Sequence, residues 1–217
     1  LPDSISDETA AAALLKGMTV EYLIRRTYPV RAGDTVLWHA AAGGVGLIAV
    51  QWLAHLGATV IGTVSSDEKA ELARAHGCHH TIVYTRENFV ERVREITGGA
   101  MVPVVYDSVG RATFPASLDC LRPRGTFVGF GNASGKPEPF DMQILSLKGS
   151  LYLTRPNLFT YTASRAELLE SARALFAVIE SGAVKIEVRQ RFPLAQAADA
   201  HRALESRATT GSTVLLP

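Results

Sequence analysis

Short runs rich in β-branched residues alternate with longer stretches of helical spacing along most of the 217-residue chain. Residues 35–40 (TVLWHA), 59–64 (TVIGTV), 81–84, 102–107 (VPVVYD), 125–130 and 149–154 (GSLYLT) read as strands. Residues 46–56, 67–76, 89–96 and 112–121 read as helices, the first three stopping at or near Gly57, Gly77 and Gly98. Such alternation calls for a parallel sheet with helices on both faces. Right-handed crossovers then predict an α/β doubly wound fold of Rossmann type, six parallel strands in the order 3-2-1-4-5-6. A leading helix over 7–26 is capped by Ser6, with Asp7 and Glu8 suited to its positive end.

After Thr154 the rhythm changes. Residues 164–181 predict a long amphipathic helix with Leu168, Leu169, Ala172, Leu175, Phe176 and Ile179 on one side, ending at Gly182. Strands over 186–189 and 213–216 flank a helix over 195–206. Two short strands and one helix leave apolar faces uncovered. The pattern therefore divides the chain into a nucleotide-binding unit, 1–155, and a segment of a second unit, 156–217.

Composition narrows the function classes. Hydrophobic residues make up 47% and charged ones 20%, a globular balance. With 22 Lys+Arg against 21 Asp+Glu the net charge is +1, which predicts no nucleic-acid partner and no anionic membrane surface. Two cysteines, Cys78 and Cys120, are too few for a disulfide framework, and Leu1-Pro2-Asp3-Ser4 does not resemble a signal peptide. A cytoplasmic location is the expectation. From Thr35 to Ser66 no Asp, Glu, Lys or Arg occurs, but Gly43, Gly44, Gly46, Gly57 and Gly62 punctuate the run. That spacing predicts buried strand, turn, helix and strand rather than a membrane span.

The candidate chemistry lies in Ala40-Ala41-Ala42-Gly43-Gly44-Val45-Gly46, directly after the first strand and before a helix. It is a variant of the G-x-G-x-x-G fingerprint, with Ala41, Gly43 and Gly46 in the marked positions. Gly43 lets the backbone approach a pyrophosphate, Gly46 lets helix and strand pack closely, and the helix start offers unpaired N–H groups. NAD-binding folds place a carboxylate about 20 residues further on to hold the ribose 2′-hydroxyl. Here Ser65 and Ser66 stand at that place, with Lys69 one turn later, a set that favours the 2′-phosphate of NADP(H). Asp67 and Glu68 argue the other way, since either could approach the ribose.

Other motifs carry little. Ser66-Asp67-Glu68-Lys69 matches S-x-x-K without its companion motifs, and Gly131–Gly135 with Lys136 is one residue short of a phosphate loop and followed by Pro137. His76, Cys78, His79 and His80 fall on a helix-to-strand corner where neighbouring side chains diverge, so no metal is expected.

The segments Trp38-His39-Ala40-Ala41-Ala42-Gly43-Gly44-Val45-Gly46, Val105-Tyr106-Asp107-Ser108-Val109-Gly110 and Phe130-Gly131-Asn132-Ala133-Ser134-Gly135 resemble the NADPH:quinone oxidoreductases. These form, with zeta-crystallin, a zinc-independent branch of the medium-chain dehydrogenase/reductases. The stretches 148–156 (KGSLYLTRP) and 204–211 (LESRATTG) are similar too. The resemblance implies a cofactor domain followed by a C-terminal return into a GroES-like catalytic domain, most of which has no counterpart here. It implies that Ala42, Gly43, Gly44 and Val45 line the pyrophosphate, and that Ser65, Lys69 and Tyr84 surround the 2′-phosphate and adenosine. It places Ser108 at the adenine edge, Phe130 and Gly131 beside the nicotinamide, and Thr19 and Arg207 on the interdomain side. The implied substrate is a quinone or activated enone, and the implied assembly is a homodimer through edge strand 149–154. No residue of this chain is assigned a catalytic role. Two alternatives stay open: a non-catalytic NADPH-binding protein with a structural or RNA-binding role, and an S-adenosylmethionine methyltransferase, which shares the sheet architecture but not the double glycine with Lys69.

Overall fold

The computed structural model describes residues 1–206 and 209–217. Helix α1 (Asp7–Tyr22) leads, with Ser6 Oγ accepting from Thr9 N as its cap, and runs into a π-helical turn over Leu23–Thr27. The sheet follows as β1 (Thr35–Trp38), α2 (Gly44–His55), β2 (Thr59–Val64), α3 (Asp67–Ala75), β3 (His80–Val83), α4 (Phe89–Ile96), β4 (Val102–Asp107) and β5 (Leu121–Gly129). Next come α5 (Gln143–Leu147), β6 (Tyr152–Thr154), α6 (Leu158–Tyr161) and α7 (Arg165–Glu180). The chain closes with β7 (Val188–Pro193), α8 (Ala197–Glu205) and β8 (Ser212–Leu216).

The six strands are all parallel, in the order β3-β2-β1-β4-β5-β6, as the alternating pattern predicts. Because side chains alternate across a strand, Val36, Trp38, Val104 and Tyr106 enter the core on one face, under α1 and α2. Leu37, Ile61, Ile82, Val105 and Phe127 enter the core on the other. Burial on both faces explains why the strands are continuous apolar runs rather than half-polar ones. Strands β7 and β8 pair in parallel as a separate two-stranded sheet that packs on α1.

Three local expectations are corrected. Residues 112–121 are not an α-helix: turns lead into a 3-10 turn, Ala116–Cys120. Pro115 within the segment has no N–H and its ring excludes the preceding helical carbonyl. The first strand stops at Trp38 because Ala40 takes a left-handed φ of 58° that turns the chain, and the following helix starts at Gly44 rather than 46. In α7 the buried stripe centres on Ser171 and Leu175, while Leu168 and Leu169 are 40% and 36% exposed. Ser164 caps α7 in a full capping box with Glu167. The short helices α5 and α6, each a turn or so of chain, were outside the sequence-derived pattern.

Candidate functional site

At the carboxyl ends of the strands, where the order reverses between β1 and β4, a groove of about 230 Å³ opens. Its floor is Ala40, Ala42 and Gly43 from the turn after β1, and one wall is Val64, Ser65 and Lys69. Tyr84, Val109 and Ala133 follow from the ends of β3, β4 and β5. Leu204 at the end of α8 and Thr209 close the other side.

The turn is built by close backbone approach. Gly43 N–H donates to Ala40 O (3.0 Å) and Ala41 N–H to Thr63 O (3.0 Å), fixing the turn to β2. A Cβ on Gly46 would lie 2.3 Å from Ala40 O and 2.5 Å from Ala41 O, so only glycine lets α2 start this near the strand. Gly43 caps α2, and the amides of Gly44, Val45 and Gly46 have no helical carbonyl four residues behind them. They give the groove floor partial positive charge.

Below the turn lies a buried polar network. His39 is fully buried, with Nδ1 2.9 Å from Thr63 Oγ1 and Nε2 2.9 Å from Ser117 Oγ. A neutral ring satisfies both contacts, donating through one nitrogen and accepting at the other. Burial lowers the His39 pKa, against the opposing charge of Asp107. Asp107 Oδ1 accepts from the amides of Val109 (2.7 Å) and Gly110 (3.0 Å), and Oδ2 from Thr113 Oγ1 (2.6 Å). The network anchors the loops after β1 and β4, the two that flank the reversal point.

Ala42, Gly43, Ser65, Lys69 and Tyr84 meet in the groove. Gly44 and Val45 follow at the helix start, half-buried. Ser108 and Gly131 press together instead, a Cβ on Gly131 falling 2.5 Å from Ser108 O; the groove wall there is Val109. Phe130 stacks at a tilt on Trp38, centroids 5.4 Å apart. Thr19 does not line the groove, and its hydroxyl donates to Leu15 O one turn back (2.7 Å). Arg207 lies outside the described residues.

Lys16 escaped the sequence pattern. Its stem packs on Gly44, where a Cβ would meet Cε at 3.0 Å, and desolvation lowers its pKa. Among the described residues no carboxylate pairs with it, and the end of its side chain lies beside the first turn of α2. No motif marks this lysine, because α1 reaches α2 only through tertiary packing.

The family described as zinc-binding dehydrogenase matches residues 44–170. The quinone oxidoreductase of Pseudomonas aeruginosa is 57% identical over 217 residues, which is all of this chain and 67% of that protein. The chain belongs to the quinone oxidoreductases. The crystal structure of Escherichia coli quinone oxidoreductase complexed with NADPH has a TM-score of 0.98 and 53% identity, covering 100% of this chain and 67% of that one. A 2-haloacrylate reductase from Burkholderia is 52% identical over 214 residues, 98% of this chain and 64% of that protein. This member of the family is thus an oxidoreductase chain spanning about two thirds of the relatives' length.

The family description names zinc, but the residues present do not fit that metal. Among the described residues no three His, Cys, Asp or Glu side chains converge. Burial pushes the thiols of Cys78 and Cys120 up to about 12, far from the thiolate a zinc ligand requires. His79 and His80 are exposed at the corner while Cys78 points into the core. Among the described residues no helix is long and apolar enough to cross a membrane.

Proposed function

We propose that this quinone oxidoreductase chain binds NADPH in the groove above the Gly43–Gly46 turn and serves reduction of quinones or other electron-poor conjugated carbonyl compounds. The observation that carries the reading is the cradle itself: glycine-only approach at Gly46, unpaired amides at the start of α2, and Lys69, Ser65 and Tyr84 gathered along one wall. The relatives complexed with NADPH share the fold at TM-scores of 0.98 and 0.97. When bound, the coenzyme supplies a hydride, and a proton from water completes the two-electron reduction of the acceptor.

In this reading the amides of Gly44, Val45 and Gly46 receive the pyrophosphate, and Lys16 adds a cation from α1. Ser65, Lys69 and Tyr84 take the adenosine end, where the lysine meets the 2′-phosphate. Trp38 and Phe130 stiffen the nicotinamide side, and Gly131 keeps the loop after β5 close to Ser108. No side chain of this chain is assigned a proton-transfer role. Residues 1–155 form the coenzyme unit and 156–217 return toward a second unit, since the six-stranded sheet ends at Thr154 and β7–β8 are separate. Edge strand β6 pairs with a second copy: its Tyr152 and Leu153 are 63% and 38% exposed on an open sheet edge.

Titrating NADPH and NADH onto the chain and onto Lys69→Ala tests this. The expected result is tighter binding of NADPH by the parent and loss of that preference in the variant. Equal affinities in the parent would overturn the NADPH assignment, and a full-length relative built around this chain that fails to oxidise NADPH with 1,4-benzoquinone would overturn the reaction.

A further inference from the structure

A carboxylate just after the second strand is the usual mark of a site that accepts a ribose 2′-hydroxyl and rejects a 2′-phosphate. This chain carries such an acid. Asp67 is the first residue of α3, two positions from Ser65 and two from Lys69, which both line the groove. Its carboxylate stands at the rim, exposed and outside the groove lining, and Arg86 pairs with both of its oxygens. Arg86 Nη1 lies 2.7 Å from Oδ2 and Nη2 2.5 Å from Oδ1. The pair holds the Asp67 carboxyl below the usual carboxylate range, so the acid stays ionised and its charge is met by the guanidinium.

We propose that the Asp67–Arg86 pair tunes coenzyme choice at this groove: Arg86 neutralises an acid placed to repel a 2′-phosphate, which favours its selection by Lys69. The inference rests on the reading that the groove holds a dinucleotide with its adenosine ribose at Ser65 and Lys69.

Arg86 is held at the rim by its neighbours. Tyr84 N–H donates to Val64 O (3.1 Å) and Thr85 Oγ1 to Ser65 O (3.2 Å), stitching the segment after β3 to the groove wall. Arg86 N–H donates to Val83 O (3.0 Å). Of the other charges nearby, Glu87 is paired, while Arg74 adds a weaker through-space attraction on Asp67. Glu87 accepts from Val83 N–H (2.8 Å) and pairs with Arg92 (3.0 Å), and Arg74 donates to Thr81 Oγ1 (2.5 Å). Glu68 is exposed on the first turn of α3. Arg86 is therefore the cation hydrogen-bonded to Asp67, with Arg74 a weaker second influence, and losing Arg86 leaves Asp67 largely a bare charge.

At an assumed separation of about 7 Å, a bare carboxylate in water weakens binding of a dianionic phosphate by roughly five- to tenfold. The test uses the whole chain and measures dissociation constants for NADPH and NADH at low and moderate salt. Arg86→Ala is expected to weaken NADPH five- to tenfold while NADH weakens less than twofold or tightens, the effect shrinking as salt rises. Asp67→Asn with Arg86→Ala is expected to restore NADPH affinity to within threefold of the parent, because it removes the charge that the first change exposed. Equal weakening of both coenzymes, no weakening of either, or a double variant no better than Arg86→Ala would each overturn the proposal. A parent chain that binds neither dinucleotide would instead overturn the coenzyme reading beneath it.

Discussion

Replacing Gly46 by alanine isolates the geometry on which the groove depends. By helix propensity alone the change would stabilise α2 by about 1 kcal/mol. Its φ is not left-handed, so the backbone itself tolerates alanine. Space does not. The new methyl would sit 2.3 Å from Ala40 O, 2.5 Å from Ala41 O and 2.6 Å from Ala41 C. These are main-chain atoms, and Ala41 is tied to Thr63 and Ala40 to Gly43 by 3.0 Å hydrogen bonds. The start of α2 must therefore lift by roughly 1 Å to reach ordinary contact. Overpacking of this kind costs about 1–3 kcal/mol, which leaves a net destabilisation of roughly 0–2 kcal/mol once propensity is counted. Moving the amides of Gly44 to Gly46 by that distance costs more in function, roughly 10- to 100-fold in affinity for NADPH. Thermal unfolding and NADPH fluorescence titration read the two effects separately. Gly43→Ala serves as the graded comparison, because its Cβ would stand 3.3 Å from Ala40 O and needs only a few tenths of an ångström. It should weaken NADPH less than Gly46→Ala. A Gly46→Ala chain that melts with the parent and binds NADPH within twofold of it would refute the reasoning.

Other expectations follow from the same structure. Lys16→Met keeps the stem on Gly44 and removes the charge, so NADPH and NADH should weaken by the same factor, about tenfold, by calorimetric titration; unequal losses would move Lys16 away from the pyrophosphate. His39 has a lowered folded pKa, so the unfolded chain binds the extra proton first and stability falls as pH drops below about 6.5, at up to about 1.4 kcal/mol per pH unit. Urea midpoints at pH 7.5 and 5.5 should show this loss in the parent and a smaller one in His39→Gln; parallel losses would refute it. Leu153→Lys places a charge on the open edge of β6 and should convert a dimer to a monomer in light scattering; a parent already monomeric at micromolar concentration would contradict the edge pairing.

The sheet was legible because both of its faces are buried, which leaves Val36 to Trp38 and Val102 to Tyr106 as unbroken apolar runs with helical spacing between them. The turn was legible because steric necessity restricts position 46 to glycine. Residues 112–121 misled because Phe114, Leu118 and Leu121 have the spacing of a helix face, yet they reach the core from three places: the turn before Pro115, the 3-10 turn and the start of β5. In α7 the leucine pair outweighed Ser171, whose burial depends on a hydrogen bond to Glu21 (2.8 Å) from a different helix. Leu204 and Thr209 reach the groove from far along the chain, and Lys16 reaches the start of α2 across a helix pair; none of the three leaves a local signature. The acid at position 67 was visible, but its partner at 86 lies across two elements, so the sign of its influence was not.

Gly211 adds a steric consequence. Its carbonyl oxygen stands 2.8 Å from where a Cβ of Gly44 would be, and the same residue follows Thr209 of the groove wall. The entry to the last strand thus lies backbone against the start of α2, and a side chain at position 44 would have to displace it.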